Sequence, residues 1–396
     1  MRWSKYIAFS ILAMLIFEIV SLDCAPAKEK PPIKIGVVYD LSGPEGGLGA
    51  AMLPAMKMAF EEKKMEVAGR KIELLVEDGA SSAEVSLTKA KKLGTLDKVH
   101  LLLLGPNPVV GYAVRDYVHQ ARIPTLAITA GAAHSRKLFS PYFFRVQPST
   151  YQHSYETAKW WYKYGFKKFI YVAVDFVATH EIIEAVKKGL GEMGGEIIQE
   201  VWAPITTTDW GPYLPKLKLA EADAVMAVVY GMTGVRFVKQ WAEYGLKGKI
   251  PVIGDGSSLD EGVSLPAMGV DADGYFAMAG SCPSTDIPEN KKFVESYKGR
   301  TGGKLPCILS YLACTSAAFA YQAMDKIHGD VEDADKLVKS LEKVELVAPM
   351  GSKVYFDKKH AMPIDYVFMK VKRTNGECHT FEIGRITVKE PYDLFP

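Results

Sequence analysis

The sequence predicts an α/β protein of two similar, doubly wound lobes between which the chain crosses more than once. Three observations carry this. Short runs rich in aliphatic and β-branched residues alternate with helical stretches of ten or more residues, the pattern of a parallel sheet covered by helices. The alternation stops and restarts, giving two halves of about 120 residues each, a usual domain size. The remainder changes texture, with helices followed by alternating strands, so it completes the two halves and opens no third lobe.

In the first half, strands are read at Ile33–Tyr39, Ile72–Glu77, His100–Leu104 and Thr125–Ile128, separated by helices at Met52–Lys63, Ser82–Leu93 and Val110–Arg122. In the second half, strands are read at Phe169–Val174, Glu196–Trp202, Ala224–Val229 and Val252–Ile253, with helices at Thr179–Met193, Gly211–Leu219 and Thr233–Tyr244. Helices then follow at Asn290–Lys298, Ser310–Ile327 and Asp333–Leu341. Strands at Val354–Phe356, Asp365–Lys372 and His379–Val388 surround the turn Thr374-Asn375-Gly376. Each lobe needs late elements to close its sheet, and no low-complexity linker separates the halves, so the chain is expected to cross between them more than once.

The amino terminus reads as a secretory signal. Arg2 and Lys5 precede the apolar run Tyr6–Phe17, and Ala25-Pro26-Ala27 supplies a small-residue cleavage site near Ala27. The apolar run is too short to span a bilayer. Cys24 would suit a lipoprotein, but Asp23 and Ser21 stand where a small residue and a leucine are wanted. The expectation is therefore a cleaved, exported, periplasmic protein. A formal net charge of +2, with Lys and Arg dispersed, argues against a nucleic-acid partner. Of the cysteines that follow the signal, Cys307 and Cys314 on one helix would lie roughly 10 Å apart, beyond disulfide reach. Pairings through Cys282 or Cys378 stay open.

The stretch from Val37 to Glu62, VVYDLSGPEGGLGAAMLPAMKMAFEE, places a glycine loop between a strand and a helix. A dinucleotide fingerprint would need a third glycine where Met52 stands, and no Gly-Lys-Ser/Thr of a phosphate loop follows. Gly46, Gly47 and Gly49 still leave backbone N–H groups at a helix start, where the dipole favours an anion such as a carboxylate. No G-x-S-x-G elbow or H-E-x-x-H pair is present. His153-x-x-Glu156 reads as a solvated helix face, and Asp175, His180 and Glu181 lack an adjacent nucleophile. The chain is read as a binder, not an enzyme, with no cofactor and no metal.

The residues are also similar to a known family. Ile35-Gly36 with Leu41-Ser42-Gly43, the strand ending at Asp78, Gly105-Pro106, RIPTLAITAGA (Arg122–Ala132), YFFRVQPSTYQ (Tyr142–Gln152), TTDW (Thr207–Trp210) and Gly274–Phe276 resemble, in order and spacing, the periplasmic solute-binding proteins of branched-chain amino-acid (Leu/Ile/Val) ABC transporters. The resemblance runs from about Ile33 to Phe356. It implies a type I periplasmic-binding fold, two doubly wound α/β lobes with a ligand cleft between them, joined by three crossover segments near Gln147, Ser281 and Gly351. Lobe I is then residues 28–146 plus 281–350, and lobe II residues 147–280 plus 351–396. It implies a monomer that passes a small solute to an ABC permease in the membrane; a ligand-sensing module coupled to a regulator is the alternative.

Ligands in open α/β sheets sit outside the carboxyl ends of the strands. The residues placed there are Tyr39, Ser42, Asn107, Thr129 and Ala130 on the first lobe and Phe176, Tyr230 and Asp255 on the second. Thr129 and Ala130 offer a hydroxyl and an N–H to a carboxylate, and the resemblance makes Asp255 the partner of a ligand amine. Asp255 could instead cap a following helix, Tyr39 could pack against the loop, and Trp210 could pack between loop and lobe. Relatives carry Tyr-Gly where Ala178 and Thr179 stand here, and serines where Asn107, Pro108 and Val109 stand. The extra room favours a small zwitterion or amide with a bulky, aromatic side group, or an aromatic or aliphatic carboxylate if no amine is present.

Overall fold

The first sheet is built on β1 (Ile33–Tyr39), whose alternate residues Ile33, Ile35, Val37 and Tyr39 are all fully buried. It is a strand covered on both faces, as parallel strands are. In the computed structural model, which describes residues 30–395 apart from Ser257, β1 leads into α1 (Gly46–Glu61), β2 (Glu66–Val67) and β3 (Arg70–Asp78). Then follow α2 (Ala83–Thr95), β4 (Leu101–Gly105), α3 (Pro108–Ala121), β5 (Thr125–Ala127) and β6 (Phe143–Arg145). The secretory signal and its cleavage site lie outside the described residues. These strands form a six-stranded sheet in the order β2-β3-β1-β4-β5-β6, parallel except for β2.

The second sheet begins after α4 (Thr150–Tyr164) with β7 (Lys168–Asp175), α5 (Val177–Met193), β8 (Glu196–Pro204), β9 (Ala224–Val228) and α6 (Gly231–Glu243). It continues through β10 (Val252–Asp255), the short α7 (Leu265–Met268) and β11 (Phe276–Ala279). Helices α8 (Pro288–Thr301), α9 (Ile308–Lys326) and α10 (Ala334–Leu341) come next, with the hairpin β12 (Glu345–Val347) and β13 (Lys353–Tyr355). The antiparallel pair β14 (Ile364–Thr374) and β15 (Glu377–Val388) then joins the second sheet, whose order is β15-β14-β11-β10-β9-β7-β8. Stripped of its additions, each sheet repeats one order, β3-β1-β4-β5-β6 in the first and β8-β7-β9-β10-β11 in the second. This is the two-lobed, doubly wound α/β architecture.

The chain passes between the lobes at three places. After β6 it enters α4 and the second sheet. After β11 it returns, because α9 packs along α1 and both Tyr297 and Ser310 donate to the Ala51 carbonyl at 2.9 Å. Near the third passage, Phe356 packs on Phe319 of α9 and on Phe144, and the His360 ring stacks on Phe144 at 3.8 Å.

Several elements differ from the sequence reading for local reasons. The helix expected at Gly211–Leu219 is two short 3-10 turns, Leu214–Lys216 and Leu219–Glu221. Pro212 and Pro215 lack the N–H a helix interior needs. Helix α4 was not expected, because its aromatic and polar residues blur the helical period. Its start is nonetheless written in sequence as Ser149 and Gln152, which form a reciprocal capping box. All four cysteines beyond the signal are free.

Candidate functional site

The glycine loop serves a different end from anion capture. Asp78, at the tip of β3, accepts from the backbone N–H groups of Leu41 (2.9 Å), Ser42 (3.2 Å) and Ala80 (2.7 Å). Asp40 accepts from Ser81 N–H at 3.0 Å, and Glu45 N–H donates to the Ser81 hydroxyl at 3.0 Å. Gly46 N–H donates to Gly43 O at 3.1 Å and Gly49 N–H to Glu45 O at 3.3 Å, and three acidic side chains surround the start of α1. Burial and then the Asp40 charge hold the Glu45 carboxyl up to about 7, while the Ser42 hydroxyl leads the contacts that hold Asp78 low. An anion here would meet Asp40, Glu45 and Asp78. The anion-holding reading of Gly46, Gly47 and Gly49 is corrected on that ground. Gly49 is required for a steric reason: a Cβ there would sit 1.9 Å from the Asp40 carbonyl oxygen.

Of the first-lobe residues, Tyr39 is enclosed in the core at 0% exposure and lines no open surface. Its side chain lies on the same face of β1 as Ile35 and Val37, a consequence of the two-residue strand period. Ser42 is exposed. Asn107 caps α3: its Oδ1 accepts from Val109 N–H at 2.8 Å and its Nδ2 donates to Glu45 Oε1 at 3.3 Å, so both ends of the amide are engaged. Thr129 is buried, with its hydroxyl oxygen accepting from Gly131 N–H at 3.3 Å. Ala130 is half-buried, and its carbonyl accepts from Thr150 N–H at 3.3 Å, which joins β5's end to the start of α4.

The second-lobe residues come together. Phe176, after β7, meets Tyr230, after β9, edge to face at 5.8 Å. The Tyr230 hydroxyl donates to Asp255 Oδ2 at 3.3 Å. Asp255 ends β10 at 9% exposure. Burial, and after it the Asp255 charge, pushes the Tyr230 and Tyr366 hydroxyls well above the ordinary tyrosine range. Tyr366 was missed from the sequence. It enters from antiparallel β14, beside β11, and its ring stacks on His153 of α4 at 5.3 Å and 5°. His153 is therefore a buried ring and not a solvated helix face. Phe176, Tyr230 and Asp255 meet at these strand ends, and the Asp255 charge acts on the Tyr366 hydroxyl as well.

Trp210 is fully buried: its indole N–H donates to Thr233 O at 3.2 Å and its ring packs on Phe237, the packing reading. His180 and Asp175 pair at 2.7 Å on an exposed face, with His180 stacked on Trp202 at 4.1 Å.

A polar knot binds the passages. Glu390, beyond β15, has a fully buried carboxylate that meets Arg145, pairs with Arg136 at 2.8 Å and accepts from Ser149 Oγ at 2.7 Å. Arg145 also donates to Gln147 O at 2.7 Å, and Gln152 donates to Met362 O at 2.9 Å and Val388 O at 3.2 Å. The C-terminal ring of Phe395 stacks on Tyr151 at 4.4 Å. Residues of the first passage, the third passage and the tail are thus held around one buried carboxylate.

Two lobes of one strand order, a ring pair with an acid at the strand ends and a knotted set of passages between them describe a solute-binding protein of the two-lobed kind. The chain belongs to the periplasmic binding protein family, whose model it matches over residues 32–377, in the branched-chain amino-acid type that serves ABC transporters. It is similar to an ABC transporter substrate-binding protein from Sphaerobacter thermophilus, with 33% identity and a TM-score of 0.86 over 90% of this chain and 98% of that one. A solute-binding protein of an ABC transporter from Rhodopseudomonas palustris BisB5, in complex with 3,4-dihydroxybenzoic acid, is 26% identical with a TM-score of 0.83, covering 91% and 99% of the two chains. Leu/Ile/Val-binding protein homolog 6 of Brucella melitensis is 27% identical over 94% of this chain and 95% of its own length.

Proposed function

We propose that this protein captures a small aromatic carboxylate whose ring carries a hydrogen-bond donor, and delivers it to the permease of an ABC importer. The observation that carries the reading is the Phe176–Tyr230 ring pair with Asp255 accepting from the Tyr230 hydroxyl. Flat apolar faces suit a ring, and an ionised carboxylate can only accept, so the ring substituent facing it must donate. Thr129, whose O–H is available to donate, and the backbone beside Ala130 would take the ligand carboxylate on the other lobe. The relative from R. palustris BisB5 that holds 3,4-dihydroxybenzoic acid supports the same class. An amino acid is the second reading, because Asp255 would equally suit an ammonium and relatives bear the Leu/Ile/Val-binding name. The proposal extends to lobes of residues 33–146 plus 281–356 and 147–280 plus 357–395, to a monomer, and to export with cleavage near Ala27.

Thermal shift and titration calorimetry with 3,4-dihydroxybenzoate, benzoate, leucine and phenylalanine test it. The aromatic acids, and most of all the hydroxylated one, are expected to raise the melting temperature. Stabilisation by leucine alone would replace this reading with the amino-acid one. Intact-mass measurement of exported protein should show a chain beginning near Lys28.

A further inference from the structure

Three large exposed apolar side chains follow neighbouring strands of the second sheet. Val177 is 74% exposed, Met232 59% and Ile205 54%, and they follow β7, β9 and β8. Those three strands are neighbours in the sheet, so their ends lie roughly 5 Å apart in succession. Their chain neighbours hold these ends together: the Thr233 hydroxyl, next to Met232, donates to the Ile205 carbonyl at 3.1 Å, and Phe176, next to Val177, packs on Tyr230. The result is a group of exposed apolar side chains at three neighbouring strand ends of the second lobe, beside the exposed Asp175–His180 pair.

The first lobe has a counterpart. Val109, 62% exposed, is the second residue of α3, directly after β4. Met232 is the second residue of α6, directly after β9. In the repeated strand order, β4 and β9 hold the same central place. Lobes that share one order and face each other through the same strand ends bring equivalent positions opposite one another. Apolar surface left in water at both members of such a pair is surface that closure can remove from it.

Resting on the reading of the protein as a two-lobed solute binder, we propose that Val109 and the row Met232–Val177–Ile205 form an apolar clasp that is buried when the lobes close. The clasp adds closing energy that does not depend on which solute is held. Ligand contacts then set selectivity, and the clasp sets how far the closed state is favoured.

A cysteine pair tests this without reliance on the solute. In Val109→Cys/Met232→Cys, oxidation with copper-phenanthroline, with and without 3,4-dihydroxybenzoate, should yield an intramolecular 109–232 disulfide in peptide mapping. Such a bond needs Cα atoms within about 7 Å; each single-cysteine variant controls for the four native thiols. Absence of the link under both conditions overturns the clasp. Val109→Ser and Met232→Ser should each weaken 3,4-dihydroxybenzoate binding by about tenfold, whereas Leu96→Ser, exposed at the far end of α2, should not. If the link forms and the parent protein does not bind the aromatic acid, the solute assignment fails and the clasp stands. If the serine variants bind as the parent does, no link forms and only import falls, the row is a permease-docking surface and the proposal is wrong.

Discussion

Asp255 accepts the Tyr230 hydroxyl at 3.3 Å, and after burial its charge helps to hold the Tyr171 and Tyr366 hydroxyls high. A ligand donor meeting this carboxylate in a closed cleft would form a charge-assisted bond. Asp255→Ala should therefore cost about 2–5 kcal/mol of binding energy, read by calorimetry with the ligand identified above. Unchanged affinity would remove Asp255 from the site. At the same scale, His134 lies between the rings of Tyr112 and Phe143, and burial, then the Arg145 charge, holds it down to about 3. His153 is held down to about 4 by burial and the same arginine. Unfolded, both titrate near 6.5. Below that pH the unfolded chain binds the extra protons, so these histidines withdraw stability as pH falls from 6.5 towards 4, by about 1.4 kcal/mol per pH unit each. Glu45 and Asp260, held up to about 7 chiefly by burial, act oppositely and withdraw stability as pH rises from about 4 to 7. His134→Phe removes only its own share. Its stability relative to the parent should grow on acidification from pH 7 to pH 5 in urea titrations, and a pH-independent difference would contradict the assignment.

Among the elements, the tail beyond β15 is held by charge more than by apolar burial. Glu390 faces Arg136 and Arg145 in a region with almost no exposure, and ion pairs taken out of water are costly unless complete. Glu390→Gln keeps the shape and strands two guanidinium groups, so it should destabilise the fold by about 3–5 kcal/mol. Denaturant unfolding measures this, and a loss under 1 kcal/mol would show the knot to be peripheral. None of this was legible in the sequence, because Arg136, Arg145 and Glu390 lie in three segments with no shared periodicity. Helix α4 was half legible: Ser149 and Gln152 announce its start, whereas its buried ring-rich face, including Trp161 and His153, does not read as amphipathic. Apolar spacing alone suggests a helix over Gly211–Leu219, but Pro212 and Pro215 limit it to two 3-10 turns.

At the scale of the whole molecule, the lobes are tied by three passages, and a solute that touches both favours their closed arrangement by its differential affinity. Small-angle scattering should therefore give a smaller radius of gyration with saturating 3,4-dihydroxybenzoate than without. An unchanged radius on saturation would exclude closure as the response.

The sequence by itself determined the α/β class, the repeated strand–helix order, the return of late elements to complete both lobes, and the family. These are local properties, since a strand or helix records in its own spacing which face will be buried. It also placed Phe176, Tyr230 and Asp255 at successive strand ends, which follows from counting strands. Tertiary structure alone decided that Tyr39 turns into the core, that Asn107 spends its amide on a cap and on Glu45, and that the glycine loop is ringed by carboxylates. It alone brought the Tyr366 hydroxyl under the Asp255 charge and Glu390 between two arginines. Those pairings join residues more than a hundred positions apart, and a side chain carries no trace in its own neighbourhood of a partner that only the folded sheets deliver.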